Sequence, residues 1–216
     1  MSLLPNGPPQ GQTAVHALTR QEALGPILSR RFQAYSAVVG RSILQLVTTA
    51  TLFALSLFVM ATLSHDHDWL TLLLAVPAGG LLVRLFIIQH DCGHGSFFKS
   101  RTANDVLGRA LSVLTLTPYG HWSQGHAAHH ASTGNLDRRG RGDVDTWTVA
   151  EYQAAAPLKK LMYRLYRNPF VMVVLGAPLN FIVLQRLVPV QRLRDRKARR
   201  SILSLNLALL VAFGIP

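Results

Sequence analysis

Charged residues are scarce in this chain of 216 residues. They make up 15% of the sequence, whereas an average soluble domain has about 25%. Hydrophobic residues make up 49%. This composition is typical of a membrane protein and argues against a soluble domain.

Acidic residues are the rarer of the two charged classes. The chain has 10 Asp and Glu against 22 Lys and Arg, and its formal net charge is +12. A basic chain raises the question of nucleic acid. The cations, however, lie between long apolar runs and not along one amphipathic face, which is typical of the cytoplasmic loops of a multispanning protein. We therefore expect no nucleic-acid partner.

Cysteine occurs only once, at Cys92, so an intrachain disulfide is excluded. Gly93 and Gly95 beside it indicate close helix packing at this point. We therefore interpret Cys92 as a small buried residue and not as a metal ligand.

Two apolar runs, residues 43–63 and 69–89, are each long enough to cross a hydrocarbon core of about 30 Å. The turn between them contains no Lys or Arg, whereas Arg30, Arg31 and Arg41 precede the first run. By the positive-inside rule, both outer ends of this helical hairpin lie on the cytoplasmic side.

The later segments are less regular. Residues 104–116 have the apolar spacing of a short helix at the membrane surface. Run 170–187 has basic flanks at both ends and is broken by Gly176 and Pro178, which favours a re-entrant or interfacial segment over a crossing. Run 202–216 is short for a crossing. The sequence predicts an all-α integral membrane protein with cytoplasmic histidine-bearing helices.

Five of the nine histidines fall in two clusters, His90-Asp-Cys-Gly-His94 and His126-Ala-Ala-His129-His130. Residues three or four apart share one face of a helix, so each cluster directs its imidazoles the same way. Imidazole is a good ligand for iron, copper, zinc and nickel. Five imidazoles are too many for one tetrahedral zinc with an open position, so they favour a site with two metals.

Other polar residues lie near the clusters, but their spacing is weaker evidence for a role at the metal site. Carboxylates often accept the distal N–H of a metal-bound histidine, and the loop after the second cluster contains Asp137, Asp143 and Asp145. His121 is out of register with the second cluster, so we expect it to have a structural role or to support the ligands. His65 and His67 lie in the outward-facing turn, and we expect them to be solvated.

Two alternatives remain open at this point. An intramembrane zinc protease is one, because His90-Asp91-x-x-His94 resembles His-Glu-x-x-His with Asp91 as the general base. Asp is shorter than Glu, however, and the second cluster would have no role. The other is a metal-binding membrane protein without catalytic activity, such as a carrier or a sensor.

Three stretches together resemble the membrane fatty acid desaturases, and most of all the acyl-lipid Δ12 or ω-6 type. They are His90-Asp-Cys-Gly-His94-Gly-Ser-Phe-Phe98, His126-x-x-His129-His130, and Gly-Asp143-Val-Asp145-Thr-Trp-Thr-Val-Ala-Glu-Tyr152. The resemblance covers about residues 40–216. Related membrane di-iron hydroxylases share the histidine boxes and remain an alternative.

This resemblance implies a specific chemistry. The enzyme would use two non-haem irons, O2, and electrons from a ferredoxin or cytochrome b5 type donor to introduce a cis double bond into an acyl chain, and its substrate would be a membrane lipid or another acyl compound. The implied iron ligands are His90, His94, His126, His129 and His130.

The resemblance also implies a domain layout. Residues 1–41 would be a flexible cytoplasmic tail, and residues 42–216 a desaturase domain in a bacterial inner membrane. The family has a third box of the form His/Gln-x-x-His-His, whereas this sequence has no histidine after His130. We therefore expect these residues to be the N-terminal portion of a longer enzyme and to be inactive alone.

The predicted topology is testable by labelling. A cysteine introduced by Thr133→Cys should react with a membrane-impermeant maleimide only from the cytoplasmic side, because the hairpin returns the chain to that side. The natural Cys92 is predicted to be buried, so the parent chain serves as the unlabelled control. Labelling from outside in intact cells would contradict the topology.

Overall fold

The computed structural model describes residues 38–63, 67–139, 144–187 and 194–214, and those from Val39 onward belong to one compact unit. The described residues form helices and contain no strand, which confirms the all-α prediction. The regular helices are α1 Val39–Leu63, α2 Asp68–His94, α3 Arg101–Thr115, α4 Tyr119–Ser132, α5 Val149–Ala154 and α6 Pro157–Tyr166. An irregular helical segment, α7, covers Pro169–Arg186, and α8 covers Arg196–Phe213.

Helices α1 and α2 are both long and apolar enough to cross a membrane, as predicted. They have 25 and 27 residues, and at about 1.5 Å per residue each exceeds the thickness of a hydrocarbon core. Helix α2 continues past the predicted end of its apolar run and stops at Gly95, whose φ of 71° is left-handed. His90 and His94 therefore lie on the last turns of a candidate membrane-spanning helix.

Helix α7 is irregular around Pro178. Met172–Gly176 and Leu179–Val183 form π-helical turns, and Leu184–Arg186 forms a 3-10 turn. Proline lacks an N–H and clashes with the preceding turn, so a regular α-helix is not favoured there. Segment 169–186 is nevertheless long and apolar enough to cross a membrane. Its re-entrant or interfacial placement stays a prediction.

The apolar core lies where α1, α2 and α3 meet the start of α4. It consists of Phe53, Leu85, Ile88, Cys92, Phe97, Leu111 and Tyr119. Cys92 is fully buried, as expected for a small packing residue. A polar contact also joins the two long helices: Arg84 Nε donates to Thr49 Oγ1 at 3.0 Å.

Gln89 forms a buried polar clamp between α2, α3 and the link into α4. Its side chain is fully buried. The amide nitrogen donates to the carbonyl of Gly108 at 3.2 Å and to the carbonyl of Thr117 at 3.1 Å. It also lies 3.1 Å from Ser112 Oγ, and the amide oxygen accepts from Thr115 Oγ1 at 2.6 Å. Gln89 thus fixes α2 one residue before the first histidine of the first cluster.

The start of α4 is held by contacts with α3, α2 and α8. Gly108 leaves room for the Tyr119 ring, since a Cβ at this glycine would lie 2.3 Å from Tyr119 Cε2. Tyr119 Oη lies 2.9 Å from the carbonyl oxygen of Cys92. From α8, Ser201 Oγ accepts the backbone N–H of His121 at 3.2 Å. These contacts place the second histidine cluster beside the first.

The clamp predicts the effect of Gln89→Leu. The variant would remove the amide that donates to the buried carbonyl of Thr117, whereas the Gly108 carbonyl would keep the Ser112 hydroxyl as a donor. A buried polar group left unsatisfied costs about 1–3 kcal/mol. We therefore expect a lower melting temperature in detergent. Gln45→Leu, which removes the same amide from a half-buried position on α1, is the control and should change stability much less. Equal melting temperatures for the two variants would contradict the role of the clamp.

Candidate metal centre

Four imidazoles from the two predicted clusters converge on one point. His90 and His94 lie on α2, and His126 and His130 lie on α4, and their ligand atoms are all within 4.8 Å of one another. The Nε2 atoms of His94 and His90 are 3.3 Å apart. Those of His94 and His126 are 3.1 Å apart, and those of His130 and His126 are 3.0 Å apart. The helical spacing of both clusters is confirmed.

These distances fit ligands that share a metal ion. Two imidazole nitrogens bound at about 2.0–2.1 Å to one ion lie roughly 3 Å apart. Burial, together with the neighbouring imidazoles of His90 and His130, lowers the pKa of His126 to about 4. The ring is therefore neutral at pH 7, so its lone pair is available to a metal. The donor set of four imidazoles matches iron, copper, zinc or nickel.

Two neighbours orient the histidine rings. The carboxylate Oδ1 of Asp91 lies 3.2 Å from His90 Nδ1, so it accepts a proton held there and leaves Nε2 facing the centre. The indole of Trp122 stacks on the His126 ring with 4.7 Å between centroids and 14° between planes. Trp122 also meets the edge of Phe86 at 5.4 Å. No periodicity in the sequence indicates the Asp91–His90 contact or the Trp122–His126 stack.

His129 lies beside the group of four and is not part of it. Its ring centroid is 5.9 Å from that of His126 and 5.5 Å from that of His130. The side chain is half-buried on α4. The structure thus brings together four of the five predicted ligands and places the fifth next to them.

The secondary candidates do not join the group. Asp145 Oδ2 accepts the indole N–H of Trp147 at 2.7 Å, and Asp137 lies in the short 3-10 turn Leu136–Arg138. His121 lies in the first turn of α4, and His67 precedes α2. His65 and Asp143 lie outside the described residues.

The loop that follows α4 is closed by an ion pair. Arg139 Nη1 donates to Glu151 Oε2 at 3.0 Å, and Glu151 also completes a capping box with Thr148 at the start of α5. The Arg139 guanidinium and the Thr148 donors lower the pKa of the Glu151 carboxyl to about 2. Both charges of the pair therefore persist at neutral pH.

An apolar groove of about 760 Å³ lies beside the histidine group and includes His126 in its lining. Trp122, Gly125 and His126 of α4 form one wall. The other wall comes mainly from α7: Val171, Met172, Leu175, Gly176, Ala177, Leu179, Asn180, Phe181, Leu184 and Gln185. Most of these side chains are aliphatic or aromatic, so the groove suits a hydrocarbon chain better than a polar substrate.

Comparison with known proteins agrees with this geometry. Residues 67–216 match the family described as fatty acid desaturase. The chain is 49% identical to the "Fatty acid desaturase" of Bacillus subtilis (strain 168) over 146 residues, which is 67% of this chain and 41% of that protein. It is 42% identical to a Synechocystis "sn-1 acyl-lipid omega-3 desaturase (ferredoxin)" over 39% of this chain and 23% of the relative.

A third relative is the Synechocystis "sn-1 oleoyl-lipid 12-desaturase", 35% identical over 43% of this chain and 26% of the relative. The chain thus spans less than half the length of these curated relatives. No solved structure matches it significantly. The family match covers more than half of the sequence and includes both histidine clusters, so the chain belongs to the fatty acid desaturase family.

Proposed function

We propose that this chain acts as, or within, a desaturase that introduces a cis double bond into an acyl chain of a membrane lipid. The observation that carries the proposal is the convergence of four imidazoles beside an apolar groove. The relatives' names support an acyl-lipid substrate, since two of them are called acyl-lipid or oleoyl-lipid desaturases.

The residues fit iron, which when bound would activate O2 to an oxidant strong enough for an unactivated C–H bond. His90, His94, His126 and His130 would hold the metal through Nε2. Asp91 would keep the Nδ1 proton of His90 in place. The stacked Trp122 would fix the plane of the His126 ring.

His129 would serve a second iron. This assignment follows from the family resemblance and from the position of the His129 ring beside those of His126 and His130. The full set of proposed ligands is therefore His90, His94, His126, His129 and His130.

The groove would bind the acyl chain and exclude water from it. Trp122 and Phe181 line the groove, and Phe86 contacts both rings from outside that lining, with centroid distances of 5.4 Å to Trp122 and 5.3 Å to Phe181. An aromatic wall next to His126 would hold the methylene to be oxidised near the metal. The groove thereby separates the reacting carbon from water that would intercept the oxidant.

Electrons would come from a ferredoxin or cytochrome b5 type protein. One relative's name specifies ferredoxin. We place the histidine clusters on the cytoplasmic side of a bacterial inner membrane, with residues 1–41 as a tail and residues 42–216 as the desaturase domain. A soluble donor would then reach the site among the basic residues of the loops.

The contacts of Asp91 disfavour the zinc protease. A general base would have to face the catalytic water, whereas Asp91 Oδ1 lies 3.2 Å from His90 Nδ1. His126 and His130 also occupy the space where the protease would need an open coordination position. A membrane hydroxylase would share the ligands, and product analysis of the complete enzyme distinguishes it.

Metal analysis tests the proposed ligands. We expect purified protein to bind iron and His126→Ala to lower its affinity by about 10-fold or more, because His126 contacts both His94 and His130. His94→Ala and His130→Ala should act in the same direction. Iron content is measured by mass spectrometry after dialysis against a weak chelator.

His67→Ala is the matched control, since this histidine lies at the opposite end of α2. Its iron content should equal that of the parent chain. Unchanged iron in the His126→Ala variant, or a single zinc in place of iron, would contradict the assignment.

The groove predicts a second result, for Gly125→Leu. A Cβ at Gly125 meets nothing within 4 Å, so the new side chain can enter the groove without displacing the backbone. It should block the acyl chain while leaving the metal bound. The measurement is quenching of Trp122 fluorescence by a phospholipid with a brominated acyl chain, with Trp69 and Trp147 replaced by Phe.

Gly80→Leu on α2 is the control, because a Cβ there also meets nothing within 4 Å. We expect strong quenching in the parent and control proteins and weak quenching in the Gly125→Leu variant. Equal quenching in all three would show that the lipid reaches Trp122 without using the groove.

A further inference from the structure

A second cavity lies on the other side of α4. It has a volume of about 960 Å³ and is enclosed by α3, α4 and α8. Helix α4 contributes Tyr119, Gly120, Ser123 and Gln124 to it, whereas Trp122, Gly125 and His126 line the acyl groove. One helix therefore separates two cavities that share no lining residue.

The second cavity is strongly basic. Its lining includes Arg101, Arg109, Lys197 and Arg200, and Asp105 is the single acidic residue among the described residues that line it. Asp105 Oδ1 lies 3.3 Å from Arg101 Nε, so its charge is already paired with one of the four cations. Three cations remain to attract an anion into the cavity.

Serine side chains also line the cavity, at Ser112, Ser123, Ser201 and Ser204. The hydroxyls of Ser112, Ser123 and Ser204 donate to the backbone carbonyls of Gly108, Gly120 and Ser201, so the cations are the main donors for an anion. A phosphate group offers several acceptor oxygens, and guanidinium and ammonium groups bind it well. The lining therefore suits a phosphate.

The basic end of the cavity lies at the level where α2 ends. Arg101 Nη1 donates to the carbonyl oxygen of Gly93, on the last turn of that candidate membrane-spanning helix, at 3.3 Å. Beyond Ser204, the lining along α8 becomes apolar with Leu205, Leu207 and Ala208. Lys197 and Ala208 are separated by about 16 Å at 1.5 Å per residue. The cavity thus has a cationic end at the membrane surface and an apolar end further along α8.

We propose that this cavity binds an anionic phospholipid that is not the substrate. The phosphate would lie among Arg109, Lys197 and Arg200, and an acyl chain would follow the apolar part of α8. The site goes beyond the proposed desaturase activity, since its lining shares no residue with the groove and includes none of the histidines.

Such a lipid would also hold α8 against the start of α4. Ser201 lines the cavity, and its Oγ accepts the backbone N–H of His121, in the first turn of the helix that carries the second histidine cluster. A bound phosphate that contacts Lys197 and Arg200 would restrict the same part of α8. The anionic lipid therefore supports the position of the second cluster without touching a metal ligand.

The test compares two charge-removing double variants on one helix. Lys197→Gln/Arg200→Gln removes two cations that line the cavity, whereas Arg196→Gln/Arg199→Gln removes two exposed cations of α8 outside that lining. Binding of phosphatidylglycerol and of phosphatidylcholine to each purified protein in detergent is measured by native mass spectrometry. The assay needs neither metal nor activity, so its result is independent of the desaturase proposal.

We expect phosphatidylglycerol to bind the parent protein in preference to phosphatidylcholine. At about 1 kcal/mol per basic residue, the cavity variant should lose about 30-fold in affinity. The Arg196→Gln/Arg199→Gln control should bind like the parent. Equal losses in both variants, or no preference for phosphatidylglycerol, would overturn the proposal. Full displacement of the lipid by millimolar inorganic phosphate would also overturn it, by identifying a soluble phosphate site.

Discussion

The buried amide of Gln89 is the interaction on which the histidine cluster depends most. Its carbonyl and amino groups bond to Thr115, Gly108, Thr117 and Ser112, so one side chain fixes α2 against α3 and the link into α4. The side chain is fully buried, and an amide without partners would be costly there. Because His90 is the next residue, the amide sets the position of the first cluster relative to the second.

Helix α4 carries the second histidine cluster. It directs His126 and His130 toward His90 and His94, and it also lines the apolar groove. The same helix lines the basic cavity, and the backbone near its start is held by Ser201 of α8. Tyr119 anchors the helix at Gly108, where any side chain would collide with the ring. The position of this helix thus determines both the metal centre and the shape of the two cavities.

Much of this arrangement could be predicted from the sequence. The length of the two apolar runs predicts the two long helices. The i, i+3 and i, i+4 spacing of the histidines predicts that the imidazoles of each cluster lie on one face of a helix. That the two clusters share one site was also expected, but the distances between their rings depend on how helices that are separate in sequence pack. The Asp91 contact and the Trp122 stack could not be predicted, because they depend on the side-chain rotamers. Nor could periodicity alone show that the His129 ring lies beside the group of four and outside it, since its i, i+3 spacing from His126 is that of a shared helix face.

The central claim is that His90, His94, His126 and His130 bind one metal ion together. X-ray absorption spectroscopy of the iron-loaded protein tests it most directly. We expect a first shell of nitrogen atoms with the outer-shell scattering of imidazole rings, about four for the ion in this group. A sulfur scatterer from Cys92, or a shell made mainly of carboxylate oxygens, would contradict the account.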